Sequence, residues 1–598
     1  MIIPSRAGRG AVGRRRFVLG GGACGAALSA ARPARALASA ILPPAPPPGS
    51  PPSLLPDQVP TLSGTRFALA VEQVPVAITG RRALATGING TMPAPTLRWR
   101  QGDSVNLTVT NRLAVPTSIH WHGIRLPAAM DGVPGLSFGG IAPGDSFTYR
   151  FPVRQSGTYW YHSHSGFQEQ AGLSGALVID PPDGAAPRAD IPPADRDYVL
   201  LLSDWTDVDP ADIVSNLKFQ SDYYNFRQRT LGTFLRDTAR QGLGATLRDR
   251  LAWGRMNMAP TDISDVSGII YTYLLNGRPP GANWTGLFRP GECIRLRVIN
   301  AASMTLFDVR IPGLAMTVVQ ADGNDVDPVP VDEFRIAPAE TYDVLVCPDR
   351  PGPFTIFAQS EDRTGFARGT LATAPGQSAP IPPMDPRPMR TMTDMGMDMG
   401  MGMGTGMAMP RAHTPPMAMP APPGSTPGSA TSPRPGVEVQ SVAPMPAGRL
   451  AEPGDGLAGN GRRVLTYADL RATCPGTDPR PPARDITLHL TGNMERFIWG
   501  FDGRKFSEAP PIRLGLGERV RFVLVNDTMM EHPIHLHGLW SELENGQGAH
   551  RPYKHTVTVK PGERLSYLVT ADVPGLWAYH CHLLYHMEVG MFRTVVVA

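Results

Sequence analysis

The sequence predicts an all-β chain of three homologous Greek-key domains. Three features carry that reading: one strand pattern that recurs three times in the same order, glycine- and proline-rich turns between short strands, and a chain of 598 residues, longer than one hydrophobic core fills. The segments "GDSVNLTVTN" (102–111), "GECIRLRVIN" (291–300) and "GERVRFVLVN" (517–526) each run glycine, acid, alternating apolar residues, then asparagine nine positions after the glycine. Alternation with period two marks each as a strand. A second triplet follows at "PGDSFTYRF", "PAETYDVLV" and "PGERLSYLV", and a third at "SGTYWYHSH", "PGPFTIFAQ" and "PGLWAYHCH". Spacings of about 190 and about 230 residues are the size of domains, too long for solenoid repeats.

Domain 1 is placed at 61–183, domain 2 at 194–375 and domain 3 at 461–598. Within domain 2 the stretch "DIVSNLKFQSDYYNFRQRTLGTFLRDTARQGLGATLRDRLAWG" has helical spacing and is expected to decorate the domain as an insertion. Residues 1–40 read as a targeting segment: arginines 14–16, an apolar run from Phe17, and small residues before a cleavage site near Ala38 or Ala40. The order of its arginines is that of a twin-arginine signal; an ordinary signal peptide is the alternative, and both lead out of the cytoplasm to the periplasm. Residues 41–60 form a proline-rich linker. A net charge of +4 is scattered along the chain, which argues against a nucleic-acid partner, and no later stretch has the uninterrupted apolar length of a transmembrane anchor. Of the five cysteines, Cys293, Cys347 and Cys474 have an open pairing, with one disulfide available to them.

The histidines fall unevenly on this repeat. Domain 1 holds "HWHG" (His120, His122) and "HSH" (His162, His164); domain 3 holds "HLHG" (His535, His537) and "HCH" (His580, His582); domain 2 has Phe357 and Gln359 where the last pair would lie. Side chains two apart on a strand share a face, so each H-x-H offers two imidazoles together. Four pairs give eight imidazoles, enough for three metal ions if domains 1 and 3 face each other. The central residue of each pair points the opposite way. Cys581 is therefore expected to meet His532, His586 and Met591 on the far face, and two histidines, a thiolate and a weak thioether describe a blue-copper site. Cys581 would link that site through peptide bonds to His580 and His582. A lone H-x-H is usually incidental; four at matched repeat positions, one with a cysteine, are not. Zinc competes for histidine-rich sites but has no redox chemistry to use such a link.

The segments "HWHG", "YHSH", "HPIHLHG" and "HCHLLYHMEVGM" resemble the four signatures of the multicopper oxidases. That resemblance implies cupredoxin-like barrels and four copper ions. It assigns type 1 copper to His532, Cys581, His586 and axial Met591, type 2 to His120 and His535, and the type 3 pair to His122, His162, His164, His537, His580 and His582. The leader, the methionine-rich segment, "SIHWHGIRLPAAMDGVPGLS" and "QSDYYNFRQRT" are similar to the bacterial copper-resistance oxidases within that family.

The implied reaction takes single electrons from Cu(I) or a phenolic reductant at type 1 copper and delivers four to dioxygen at the trinuclear cluster, with His532 and His586 expected nearest the reductant. Oxygen reduction consumes protons. Asp131 matches the acid the family places beside type 2 copper, a solvated turn being the alternative. Glu588, between His586 and Met591, is a second candidate for relaying protons, local hydrogen bonding being the alternative; some relatives carry an acid directly after the histidine matching His586, where this chain has Met587, a departure that weakens the case for a second proton route. Residues 376–460, rich in proline, glycine and methionine, are expected to be disordered. Met389, Met392, Met395, Met397, Met399, Met401, Met403, Met407 and Met409 offer soft thioethers for collecting Cu(I), against a plain low-complexity linker. Two other classes share parts of this pattern: a copper-sequestering protein needs no complete trinuclear set, and a copper nitrite reductase needs fewer imidazoles. Periplasmic copper-handling proteins are possible partners.

Overall fold

The computed structural model describes residues 58–226, 228–397 and 433–598. The leader and most of the proline-rich linker lie outside them, as do Met399, Met401, Met403, Met407 and Met409.

Six sheets form three two-sheet barrels in sequence. Each of the three recurring first strands, Ser104–Asn111, Ile294–Asn300 and Arg519–Asn526, pairs antiparallel with the second recurring strand of its own unit, Ser146–Pro152, Thr341–Val346 and Arg564–Thr570. Each also pairs in parallel with the strand that opens its domain, Arg66–Val76, Arg196–Trp205 and Arg484–Asn493. The recurring asparagine explains itself in this frame. Asn111, Asn300 and Asn526 are fully buried, and each side-chain amide donates to two backbone carbonyls: Val115 and Ile141, Thr305 and Ile336, Met530 and Val559. Its carbonyl accepts from the backbone two residues on. A buried amide satisfied this way pins the loop that leaves the strand, and in domains 1 and 3 that loop runs straight into the histidine pairs.

The strand Gly575–Cys581 shows how the barrel separates two sites. Trp577, Tyr579 and Cys581 lie on one face, buried with the domain 3 core, where each large aromatic contributes roughly 1.5–3 kcal/mol by leaving water. Ala578, His580 and, just past the strand end, His582 take the other. Register completes the placement, His535 standing opposite His580 in domain 3 and His120 opposite His162 in domain 1. The glycines closing "HWHG" and "HLHG" have φ of +81° and +67°. A β-carbon at Gly123 would lie 2.4 Å from the His555 ring and one at Gly538 2.2 Å from Trp577, so both turns need glycine.

The insertion in domain 2 forms helices Pro210–Phe219, Leu231–Gln241 and Leu243–Arg255. Asp209 caps the first, its side chain accepting from the Ala211 N–H. Thr230 and Thr233 form a reciprocal capping box at the second. A disulfide joins Cys293 to Cys347, while Cys474 is an exposed thiol and Cys581 a buried one.

The described flanks of the 376–460 segment depart from the expected disorder. Arg390 is fully buried against Glu361 and Asp455, Arg449 reaches the Pro561 carbonyl, and Met395, Val439 and Leu457 are buried among the barrels. Arginine forks and a few apolar anchors fix these flanks despite their composition. Met395 is thereby unavailable as a collecting thioether, and Met392 and Met397 are partly packed; Met389 is exposed. No helix among the described residues is long and apolar enough to cross a membrane.

Candidate metal centre

Domains 1 and 3 meet with their histidine faces together. His120 stacks on His537 and His122 on His535, with ring centroids 3.9 and 3.8 Å apart, and His164 and His162 lie 5.1 Å from His580 and His582 respectively. All eight expected imidazoles thus line one interdomain cavity, seven of them buried and His164 half-buried.

Burial and neighbouring imidazoles hold His122, His162, His164, His535, His537 and His582 well below the usual histidine range, and burial brings His580 down to about 3. Neutral rings keep a lone pair for a metal. His120, His162, His164, His535 and His582 each leave Nε2 buried without a partner, and His122 leaves Nδ1. His537 and His580 turn their Nε2 atoms on each other at 2.9 Å. Unpaired acceptors buried together are costly unless a cation fills the space, so this donor set fits bound copper.

The opposite nitrogens are held from outside. His120 Nδ1 donates to the Asp131 carbonyl at 2.8 Å and lies 3.3 Å from Asp131 Oδ1; His537 Nδ1 contacts Asp131 Oδ2 at 2.8 Å; His535 and His580 donate to the His555 and Cys581 carbonyls. Asp131 is buried and touches both domains' histidines, so it is no solvated turn residue.

On the far face of its strand, Cys581 Sγ lies 3.5 Å from His532 Nδ1 and 3.9 Å from His586 Nδ1, and the two nitrogens are 3.3 Å apart. A triangle of that size seats one ion about 2 Å from each corner. Met591 is buried beside it, its carbonyl accepting from the Cys581 N–H and its own N–H donating to the His586 carbonyl. Burial pushes the Cys581 thiol up, so ion binding there releases a proton. The helix Leu584–Val589 turns His586 back toward Cys581, and Trp499 stacks on the His586 ring at 3.9 Å.

Two expectations are corrected. His532 and His586 are fully buried instead of lying at the rim: domain 2 covers His586, whose Nε2 meets Asp265 Oδ2 at 2.6 Å, and domain 3's own Thr528 Oγ1 takes His532 Nε2 at 2.7 Å. Burial pushes the Asp265 carboxyl up to about 7. Glu588 lies exposed on its helix and bonds no cluster imidazole among the described residues, so it is not placed to serve the buried cavity.

Sequence reasoning missed Asp265, Glu169 and His555. Glu169 Oε2 contacts His162 Nδ1 at 2.7 Å, and His555 Nδ1 lies 3.2 Å from His122 Nε2. An acid seven residues after His162 and a histidine in "KHTV" were the available signals, but neither sits at a position of the H-x-H repeat.

Profiles described as multicopper oxidase match residues 70–184, 196–376 and 479–598. The chain belongs to the multicopper oxidase family. A multicopper oxidase carries one type 1, one type 2 and two type 3 coppers and passes electrons from a reductant to dioxygen, and the two metal-ready clusters described above accommodate that complement. The chain is 54% identical to copper resistance protein A of Escherichia coli, over 90% of this chain and 93% of that one, and 31% identical to the multicopper oxidase MmcO of Mycobacterium tuberculosis, over 84% and 81%. Solved structures share the fold: Fet3p, a multicopper oxidase that functions in iron import (TM-score 0.62, 19% identity, 90% of each chain), and the laccase of Botrytis aclada (0.58, 22%, 90% and 89%).

Proposed function

We propose that this multicopper oxidase serves copper resistance in the periplasm, oxidising Cu(I) or phenols. His532, Cys581, His586 and Met591 hold type 1 copper in this reading. His120 and His535 hold type 2, and His122, His162, His164, His537, His580 and His582 hold the type 3 pair. One observation carries it: Cys581 Sγ touches His532 and His586 while its chain neighbours His580 and His582 stand among the imidazoles of the interdomain cavity. Bound copper supplies one-electron redox chemistry and the four-electron reduction of dioxygen to two waters.

The chain's own residues do the rest. The peptide from Cys581 to its two neighbours gives electrons a covalent route between sites. Asp265 and Thr528 orient the type 1 rings, and Asp131 orients His120 and His537 and is placed to hand a proton into the space between them. Resistance as the physiological role is supported by the relatives named copper resistance protein A. Export rests on the arginine-led N-terminus. Sequestration without turnover gives no use to a complete set of eight cavity imidazoles.

Oxygen uptake with Cu(I) and with a phenol, on protein of measured copper content, tests the proposal. About four coppers per chain and Cu(I)-dependent uptake are expected; bound copper without turnover would point to sequestration instead.

A further inference from the structure

We infer that Glu169 is a positioning residue of the oxygen-reducing cluster, bracketing one imidazole from each wall of the cavity. Asp131 does this on one side, contacting His120 of domain 1 and His537 of domain 3. Glu169 repeats the arrangement with a different pair. Its Oε2 lies 2.7 Å from His162 Nδ1 of domain 1, and its Oε1 lies 3.9 Å from His582 Nδ1 of domain 3. His162 Nδ1 also faces the Ser163 carbonyl at 3.1 Å, so the carboxylate is its shorter partner. The second contact is too long for a hydrogen bond and places the carboxyl beside the His582 ring. Neither Glu169 Oε1 nor His582 Nδ1 has a hydrogen-bond partner among the described residues.

Glu169 is buried, and among the described residues no lysine or arginine pairs with it. A buried carboxyl beside imidazoles and within electrostatic reach of Asp204, with no cation paired to it, is kept at a cost, and what it gains is control of those rings. With Glu169 holding His162 Nδ1 and standing behind His582 Nδ1, Nε2 of both rings is turned to the cavity, where both are unpartnered. The loop that carries it is locked by its neighbour: Gln170 Oε1 accepts from the Tyr271 hydroxyl of domain 2 at 2.6 Å and the Tyr585 hydroxyl of domain 3 at 3.1 Å, and Gln170 Nε2 donates to the Asp204 carbonyl at 3.1 Å. All three domains therefore fix where Glu169 stands.

This inference rests on the ligand assignment proposed above. Its test is copper per chain by mass spectrometry after reconstitution, together with the electron paramagnetic resonance spectrum, for the full chain and for Glu169→Ala, Glu169→Gln and Glu169→Asp. The visible thiolate–copper band of the type 1 site reports folding. Expected for Glu169→Ala is an intact type 1 band, cluster copper bound on the order of ten- to a hundred-fold more weakly, and a new resonance from type 3 copper that is no longer paired. Glu169→Gln, which keeps an acceptor for His162, should retain more cluster copper than Glu169→Ala. An alanine variant with the parent's copper content and a silent type 3 pair would overturn the inference, and so would loss of the type 1 band in the alanine and glutamine variants alike, which marks a folding residue. A parent chain that holds no cluster copper would overturn the ligand assignment and this inference together, a result seen before any variant is made.

Discussion

Domains 2 and 3 share strand order and buried asparagine, yet they finish the third recurring strand in opposite ways. In domain 3 the end of that strand carries His580, Cys581 and His582, and the space beyond it is lined by ring nitrogens without partners. In domain 2 the same positions are Phe357, Ala358 and Gln359. Phe357 is fully buried beneath the Arg310 guanidinium, 4.8 Å from its ring centre, and Gln359 holds Asp385 through both its amide nitrogen, at 2.6 Å, and its oxygen, at 3.0 Å. Arg310 also pairs with Glu333 and Asp385. One barrel end is built to receive cations from solution; the other is closed with the chain's own arginines. The barrel positions a face, and the residues at the strand end decide whether it is filled by metal or by guanidinium.

The largest break in this comparison comes from the thiolate. Cys581→Ser should abolish the visible absorption and bring oxygen uptake to background, with cluster copper retained, as read by absorbance and copper analysis. Putting histidine into the closed end should not open it: Phe357→His is expected to cost ~3 kcal/mol in urea unfolding, by loss of a packed aromatic, and to add no copper. Acid separates the two ends next. His580 and His555, held down to about 3 and about 4, titrate near 6.5 once unfolded, so the apoprotein loses stability as pH falls from about 6.5 toward those values, at up to about 1.4 kcal/mol per pH unit for each such ring. Hydrogen exchange across pH 7 to 5 should show protection falling first around 575–582 and later around 294–346, which contains no histidine.

Asp265→Asn sharpens the account of the buried type 1 site. It keeps a partner for His586 but removes the carboxylate, and should weaken type 1 copper by roughly ten-fold while leaving the cluster unchanged, measured by chelator competition. Smallest is removal of residues 398–419, which spares the anchors Arg390 and Met395. It should leave unfolding free energy within about 0.5 kcal/mol and lower only the number of Cu(I) ions bound in excess of four.

Much of this was legible because it depends on alternation. Period two put His580 and His582 on one face and Cys581 on the other, and the threefold repeat identified which domain lacked ligands. What period two cannot reach is anything supplied by another part of the chain. Asp265 follows the helical insertion and meets His586 across 321 positions of sequence; Glu169 and His555 enter the cavity from loops with no repeat partner. Composition misled for the flanks of the methionine segment, since buried Arg390 and Arg449 and the anchors Met395, Val439 and Leu457 outweigh neighbours of poor core-forming character. The rim position expected for His586 failed for the same reason as Asp265 was missed, namely that domain 2 closes over it, while His532 is buried against its own domain's Thr528.

Anomalous diffraction at the copper edge, on crystals of the reconstituted protein, locates the metal ions themselves. Four peaks are predicted, one among His532, Cys581 and His586 and three between domains 1 and 3. A cavity between those domains without copper, or a peak at the Phe357 end of domain 2, would contradict this assignment.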